Sequence, residues 1–247
     1  MVRGKDFLEA EIAHVSRPIP QGLGIVEKSV PITAFGKFDE ASVATLSLNP
    51  SYLEFTNQKG SHLPNEKNRV FSRFQDSLED DDSLSRETAL KTIDSFRKYF
   101  DLGSNPYLKW FGPMENKVLS SVGASYFDGS ATHLDLSQWA TNPIWNKLSE
   151  ETKQALLDSD LPFLKRQLEH RKFDLVLING STAIREISKT GLVEMKVVDE
   201  QQLGKTTVVF YQGQALGTKF LAWNWYLQSA ISEQVRDAIA HWLKSQL

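Results

Sequence analysis

Apolar positions along the chain fall into two alternating patterns. Short runs of almost wholly apolar or small residues at 42–48 and 173–178 read as buried strands, 130–136 is a second candidate core strand, and further strands are read at 208–210 and 220–223. Between them, apolar residues recur at helical spacing. That spacing predicts helices over 66–78 (Val70, Phe71, Phe74, Leu78), 86–100 (Leu90, Ile93, Phe96, Tyr99, Phe100) and 110–122. Residues 150–170 read as one or two helices with Pro162 at a boundary. A further helix begins at Thr182, and 233–243 closes the chain with Val235, Ile239, Trp242 and Leu243 inward. Strands alternate with helices and no segment repeats. The expectation is a single α/β domain, with a mostly parallel central sheet flanked by helices. Residues 17–37 hold Pro18, Pro20, Gly22, Gly24, Pro31 and Gly36, which is loop chemistry. The division expected is an N-terminal extension over 1–34 that packs on a domain over 35–247.

In such sheets ligands bind beyond the carboxyl ends of the strands. Four segments then share one rim: Asn49-Pro50-Ser51, the stretch from Asp135 to Thr141, Asn179-Gly180-Ser181-Thr182, and the stretch from Asn224 to Ser229. Asn49 offers a donor and an acceptor beside a rigid proline, and can equally start a simple turn. The 179–182 segment opens a helix with exposed amides and two hydroxyls. It suits a phosphate, or is an ordinary N-terminal cap. His133 and Asp135 point to one face of a strand, as a site or as a hydrogen-bonded structural pair. Trp223, Trp225, Tyr226 and Leu227 form an aromatic and apolar cluster. It can enter a base stack or pack against the last helix.

Composition narrows the choice. The 247 residues contain no cysteine, which excludes disulfides, thiolate metal sites and thiol nucleophiles. The 28 Lys and Arg against 31 Asp and Glu give a net charge of -3, which excludes a uniformly basic coat for nucleic acid. No apolar run approaches the ~20 residues of a membrane span. Lys5, Asp6, Glu9 and Glu11 are unlike a signal peptide, so a cytoplasmic protein with no membrane partner is expected.

Taken in order, the rim segments resemble the uracil-DNA glycosylase superfamily, nearest to its mismatch-specific uracil/thymine branch. VATLSLNPS (Val43 to Ser51) is similar to that branch's strand and Asn-Pro motif. Asn68-Arg69-Val70-Phe71, LDLSQWAT (Leu134 to Thr141) and LINGSTA (Leu177 to Ala183) resemble its later motifs. The likeness runs from about Phe35 to the C-terminus. It implies a monofunctional DNA glycosylase without metal or cofactor, monomeric, and nucleoid-associated if bacterial. Such an enzyme flips a base from the duplex and hydrolyses its bond to the sugar. By the resemblance, Asn49 positions the water. Phe71, Tyr52 or Phe55 stacks on the base, in a pocket completed by Ser47, Leu48, Pro50, His133 and Asn179. Ser51, Gly180, Ser181, Thr182 and Ser229 hold phosphates. Trp225, Tyr226, Leu227 and Gln228 form the inserting loop.

Two departures matter. Ser47 stands where the branch has glycine, and Asp135 stands where it has a base-reading asparagine. An ionised carboxylate only accepts hydrogen bonds, so it suits an exocyclic amine such as cytosine N4. The expected substrate is therefore cytosine-like or modified, as in phage DNA with bulky cytosines. Asp135 can alternatively be a general base, and is counted with Asn49 as catalytic. Two competing readings are a DNA-binding or damage-sensing module on the same fold without chemistry, and a nucleotide-handling α/β enzyme. The latter ranks last for want of a Gly-rich phosphate loop.

Overall fold

The structure is a computed structural model that describes residues 2–64, 70–101 and 108–247. Its architecture is α/β, built on a six-stranded sheet of order β2-β1-β3-β6-β5-β4. The strands are β1 (Val43–Ser47), β2 (Ala131–Asp135), β3 (Leu175–Asn179), β4 (Lys196–Leu203), β5 (Thr206–Ala215) and β6 (Thr218–Trp223). β1 runs parallel to β3 with Val43 opposite Leu175, and β3 parallel to β6 with Asn179 opposite Trp223. Ser42 and Val43 amides bond Ser130 O at the strand starts, and the Ser137 amide bonds Leu48 O at the ends, so β2 is parallel to β1 as well. β5 and β4 then complete the sheet as antiparallel hairpins. All five residues of β2 and of β3 are buried, which explains the nearly unbroken apolar run of β3 and leaves β2 with buried polar residues, His133 and Asp135 among them.

The chain falls into two compact units. One comprises Met1–Phe35, Leu48–Pro106 and Asp135–His170; the other comprises Gly36–Ser47, Tyr107–Leu134 and Arg171–Leu247. The first unit is helical and loop-rich. Its helices are α1 (Val2–Val15), α2 (Arg86–Arg97) and nearly all of α4 (Glu150–Arg171). Phe7 of α1 stacks on His170 of α4 at 4.2 Å, and His14 stacks on Phe163 at 4.0 Å. Helix α4 runs unbroken through Pro162, where the sequence suggests a boundary. Proline there removes one backbone bond. Burial of Leu156, Leu157, Phe163, Leu164 and Leu168 on both sides of it keeps the helix on one axis.

Residues 70–78, expected as the end of a helix, form successive turns instead. They wrap the fully buried Arg73, whose guanidinium donates to Ser29 O at 2.6 Å, to Asp82 O at 3.2 Å and to Arg17 O. Burial pushes that guanidinium down to about 10, against the pull of Asp80 and Asp82. Arg73 is thus the hub that joins the segments of Arg17, Ser29 and Asp82. Asn68 and Arg69 of the second family-like motif lie outside the described residues.

The second unit holds the sheet with α5 (Ser181–Lys189), α6 (Glu233–Ser245) and a helical stretch opened by α3 (Leu108–Pro113). α3 continues as a π-type turn over Met114–Leu119 and a 3-10 turn over Ser120–Val122. Trp242 of α6 stacks on Phe210 of β5 at 4.4 Å, and Val235, Ile239 and Leu243 are buried beside it. No helix among the described residues is long and apolar enough to cross a membrane.

Candidate functional site

The end of β1 leads into a short rigid segment in the first unit. Pro50 stops the ladder, and Ser51 caps a 3-10 turn (Tyr52–Glu54) by accepting the Leu53 amide at 3.3 Å. Asn49 is therefore held just beyond a core strand. Its Nδ2 donates to Trp139 O at 3.1 Å and to Thr141 Oγ1 at 3.0 Å. Asn49 as a residue is half-buried, and its Oδ1 accepts from no group among the described residues. The carboxamide is thus fixed at one edge and open at the other.

Thr141 is the junction of this site. It bridges Ser51 on one side and Ile25 on the other, while the Asn142 amide bonds Gly24 O at 2.8 Å. Against this junction lies a cleft of about 280 Å³, lined by Ile25, Val26, Glu27, Thr56, His62 and Asn142. Among the described residues its charged lining is Glu27. Its volume lies at the lower edge of the range of about 300–1,000 Å³ usual for small-molecule sites, and neither Asn49 nor Asp135 is among its lining residues. His62 is displayed by a loop closed by the Thr56–His62 bridge, and its ring stacks on Phe74 at 4.5 Å.

The segment before Thr141 is pinned from below. Asp160 of α4 accepts from Ser137 Oγ at 2.7 Å and from the Gln138 amide at 2.8 Å, and pairs with Arg17 at 2.9 Å. Gln138 Nε2 donates to Asp135 O at 2.9 Å, and its Oε1 lies 3.1 Å from His14 Nε2. Burial, reinforced by the Arg17 charge, holds the His14 imidazole well below its ordinary value.

Asp135 is itself buried, at 2% exposure. Of the expected aromatic stackers, Phe55 is buried, whereas Tyr52 and Phe71 are half-exposed. Phe71 is anchored by its amide to Ser95 Oγ at 2.9 Å. Leu48 is half-buried, and its carbonyl accepts the Ser137 amide at 2.9 Å.

The second unit carries the remaining expected residues. Ser47 ends β1 and is half-buried. His133 Nδ1 lies 2.8 Å from Thr45 Oγ1, which is 2.7 Å from the Tyr126 hydroxyl. Its ring sits 4.4 Å from Trp110 and 5.4 Å from Phe111. These contacts tie β2 to β1 and to the helical stretch, as a satisfied core histidine does.

Asn179 is buried, and its polar edges are largely engaged. Nδ2 donates to Gln228 Oε1 at 2.9 Å, while Oδ1 accepts from Trp223 Nε1 at 3.1 Å and from the Leu227 amide at 3.2 Å. Gly180 adopts φ +97°, and a Cβ there would lie 2.7 Å from the Tyr226 ring. The Gly180 and Ser181 amides bond Trp223 O and Asn224 O at 3.0 and 3.1 Å. Thr182 follows in the first turn of α5, half-buried.

In the expected inserting loop, Leu227 is fully buried. Trp225 Nε1 is bonded to Thr207 O at 2.8 Å, Gln228 donates to Trp110 O at 3.0 Å, and Ser229 is exposed. The loop is thus a docked element whose half-exposed side chains are Trp225, Tyr226 and Gln228.

The structure brings Asn49, Pro50 and Ser51 together with Trp139 and Thr141. It brings Asn179 and Gly180 together with Tyr226, Leu227 and Gln228. The sequence reading missed Arg17, His14 and Asp160 as braces. The pairs His14–Gln138 and Arg17–Asp160 join residues more than a hundred positions apart, which no local periodicity reveals. No group of three or more His, Asp or Glu among the described residues is arranged to hold a metal ion. The chain matches no protein-family model and no curated protein.

Proposed function

We propose that the protein is a monofunctional DNA glycosylase of the uracil-DNA glycosylase type, hydrolysing the bond between a flipped base and its deoxyribose. The observation that carries this reading is the Asn49 carboxamide, fixed through Nδ2 by Trp139 O and Thr141 Oγ1 and open at Oδ1. An amide oxygen so placed accepts one hydrogen bond from a water and aims its lone pair at the sugar carbon. As the base departs, the sugar gains oxocarbenium character, so an aimed water and nearby dipoles are sufficient. Water attacks that carbon, its proton passes to solvent or to the departing base, and an abasic site with an intact backbone results.

The cleft beside Thr141 offers space for a small ligand, and Glu27 in its lining suits an amine-bearing group. Asp135 favours a base with an exocyclic amine, hence a cytosine or a modified cytosine such as occurs in phage DNA. The chain would act on DNA inside the cell that makes it. A second reading, a DNA-binding or damage-sensing module without chemistry, is favoured by the mutual engagement of Asn179 and Gln228, which leaves that asparagine little capacity to read a base.

The test is mass spectrometry of bases released from several natural DNAs, phage DNA with modified cytosines among them. The expected result is release of one base class with abasic sites, and a loss of about 10²–10³-fold in Asn49→Ala. No release from any DNA, with duplex binding retained, would favour the binding module. Identical base preference in Asp135→Asn and wild type would discard the role given to Asp135.

A further inference from the structure

We infer that Asp160, with Arg17 as its counter-ion, is a positioning residue for the Asn49 carboxamide and acts through residues 137–141. The consequence for catalysis rests on the glycosylase reading above; the geometry does not. Asp160 is fully buried in α4. Its Oδ2 takes two hydrogen bonds at the start of the 137–141 segment, from Ser137 Oγ at 2.7 Å and the Gln138 amide at 2.8 Å. Its Oδ1 takes Arg17 Nη2 at 2.9 Å. The same short segment ends in the two acceptors, Trp139 O and Thr141 Oγ1, that hold Asn49.

A buried carboxylate is retained only when its partners are complete, and here both oxygens are engaged. Arg17 is fixed in its turn. Nη1 donates to Ser159 Oγ at 2.9 Å, Nε donates to His14 O at 2.9 Å, and the guanidinium lies 5.7 Å from the Trp139 ring centroid. Residues 137–140 belong to neither a helix nor a strand. Side-chain and ionic contacts must therefore supply the precision that a ladder would give. A displacement of Trp139 or Thr141 would rotate Oδ1 away from its water, and misplacement of about 1 Å costs of order a hundredfold in rate.

The experiment is a double-mutant cycle of Asn49→Ala and Asp160→Asn, read as single-turnover base release from a duplex that the wild type processes. Asp160→Asn should lower the rate about tenfold to a hundredfold while the Kd for the duplex changes less than about twofold. In the Asn49→Ala background it should cost nothing more, because its effect passes through Asn49. Losses that multiply would overturn the inference and leave Asp160 a brace of the fold.

A readout independent of activity accompanies the cycle: the ¹H–¹⁵N resonances of the Asn49 carboxamide. They should shift in Asp160→Asn, and an unshifted carboxamide in a folded variant would overturn the inference. Should wild type release no base from any duplex, the glycosylase reading falls, and the carboxamide spectrum decides the positioning by itself. If Asp160→Asn does not fold, Ser137→Ala takes its place, since it removes one of the two donors to Oδ2.

Discussion

Two asparagines stand just past or at the ends of parallel strands, and hydrogen bonding gives them opposite capacities. Asn179 spends both edges of its amide on Trp223, Leu227 and Gln228, so it is a clasp for the 224–229 loop. Asn49 spends one edge only and keeps an acceptor for a ligand or water. Residue type alone makes the two equivalent; the positions of their acceptors do not. His14 illustrates the same dependence on surroundings. Burial and then the Arg17 charge hold its imidazole below the ordinary value, opposed by Gln138. The depressed value means that the unfolded chain takes up a proton first as pH falls. The stability is therefore fully present above about pH 6.5 and is lost progressively below it, by up to about 1.4 kcal/mol per pH unit from this one group. Denaturant unfolding at a series of pH values checks this. His14→Gln should flatten the slope between about pH 6.5 and 5. An unchanged slope would place the acid sensitivity elsewhere.

Among the elements, those with a buried face were legible and those without one were not. β1, β2, β3, α5 and α6 fall where their apolar runs and spacings put them. β4 escaped because seven of the residues in Lys196–Leu203 are charged, amide or exposed valine and the pattern has no inward face to mark it. It is an edge strand carrying a register shift between Val197 and Asp199, and its polarity protects that edge. The 70–78 turns were misread for the converse reason. Val70, Phe71 and Phe74 have helical spacing, but the three carbonyls gathered by Arg73 dictate turns. This fixes a prediction for that loop cluster. Arg73→Met should destabilise the protein by about 3 kcal/mol, because it removes the donor from the buried bond to the Ser29 carbonyl and from the part-buried bonds to the Arg17 and Asp82 carbonyls. Arg73→Lys should recover part of that loss, since an ammonium can serve fewer of the three. Thermal or urea unfolding reads both. The braces of the Asn49 segment were illegible for a third reason. His14 and Arg17 precede the first segment with a readable apolar pattern, and Asp160 sits on a helix whose spacing accounts for it without any second role; their pairing is set by the tertiary fold.

For the molecule as a whole, charge sets how any contact with DNA must be made. The net charge is -3, and many cations are already matched internally: Lys117 with Glu233 and Asp237, Arg86 with Glu9, Lys28 with Glu79, Lys98 with Asp94. Contact confined to the rim beyond the strand ends would neutralise few phosphates with Lys or Arg. The expected dependence of log K on log salt is therefore shallow, with a slope no steeper than about −3, corresponding to roughly three neutralised phosphates. Titrations of duplex binding between low and physiological salt measure it, and a markedly steeper slope would reveal a basic face. The sheet order has a different consequence, for the birth of the molecule. β1 sits between β2 and β3, with Val43 opposite Leu175. At about 5–20 residues per second a ribosome makes β1 on the order of ten seconds before β3. The hairpins β4-β5-β6 join consecutive strands and can close within about 1–10 μs of leaving the exit tunnel. β1 can pair with β2 as soon as that strand is made, but until β3 arrives it waits as an apolar segment with one open edge. Such a segment is what nascent-chain chaperones cover, so yield in the cell should depend on them more than the size of the finished protein suggests.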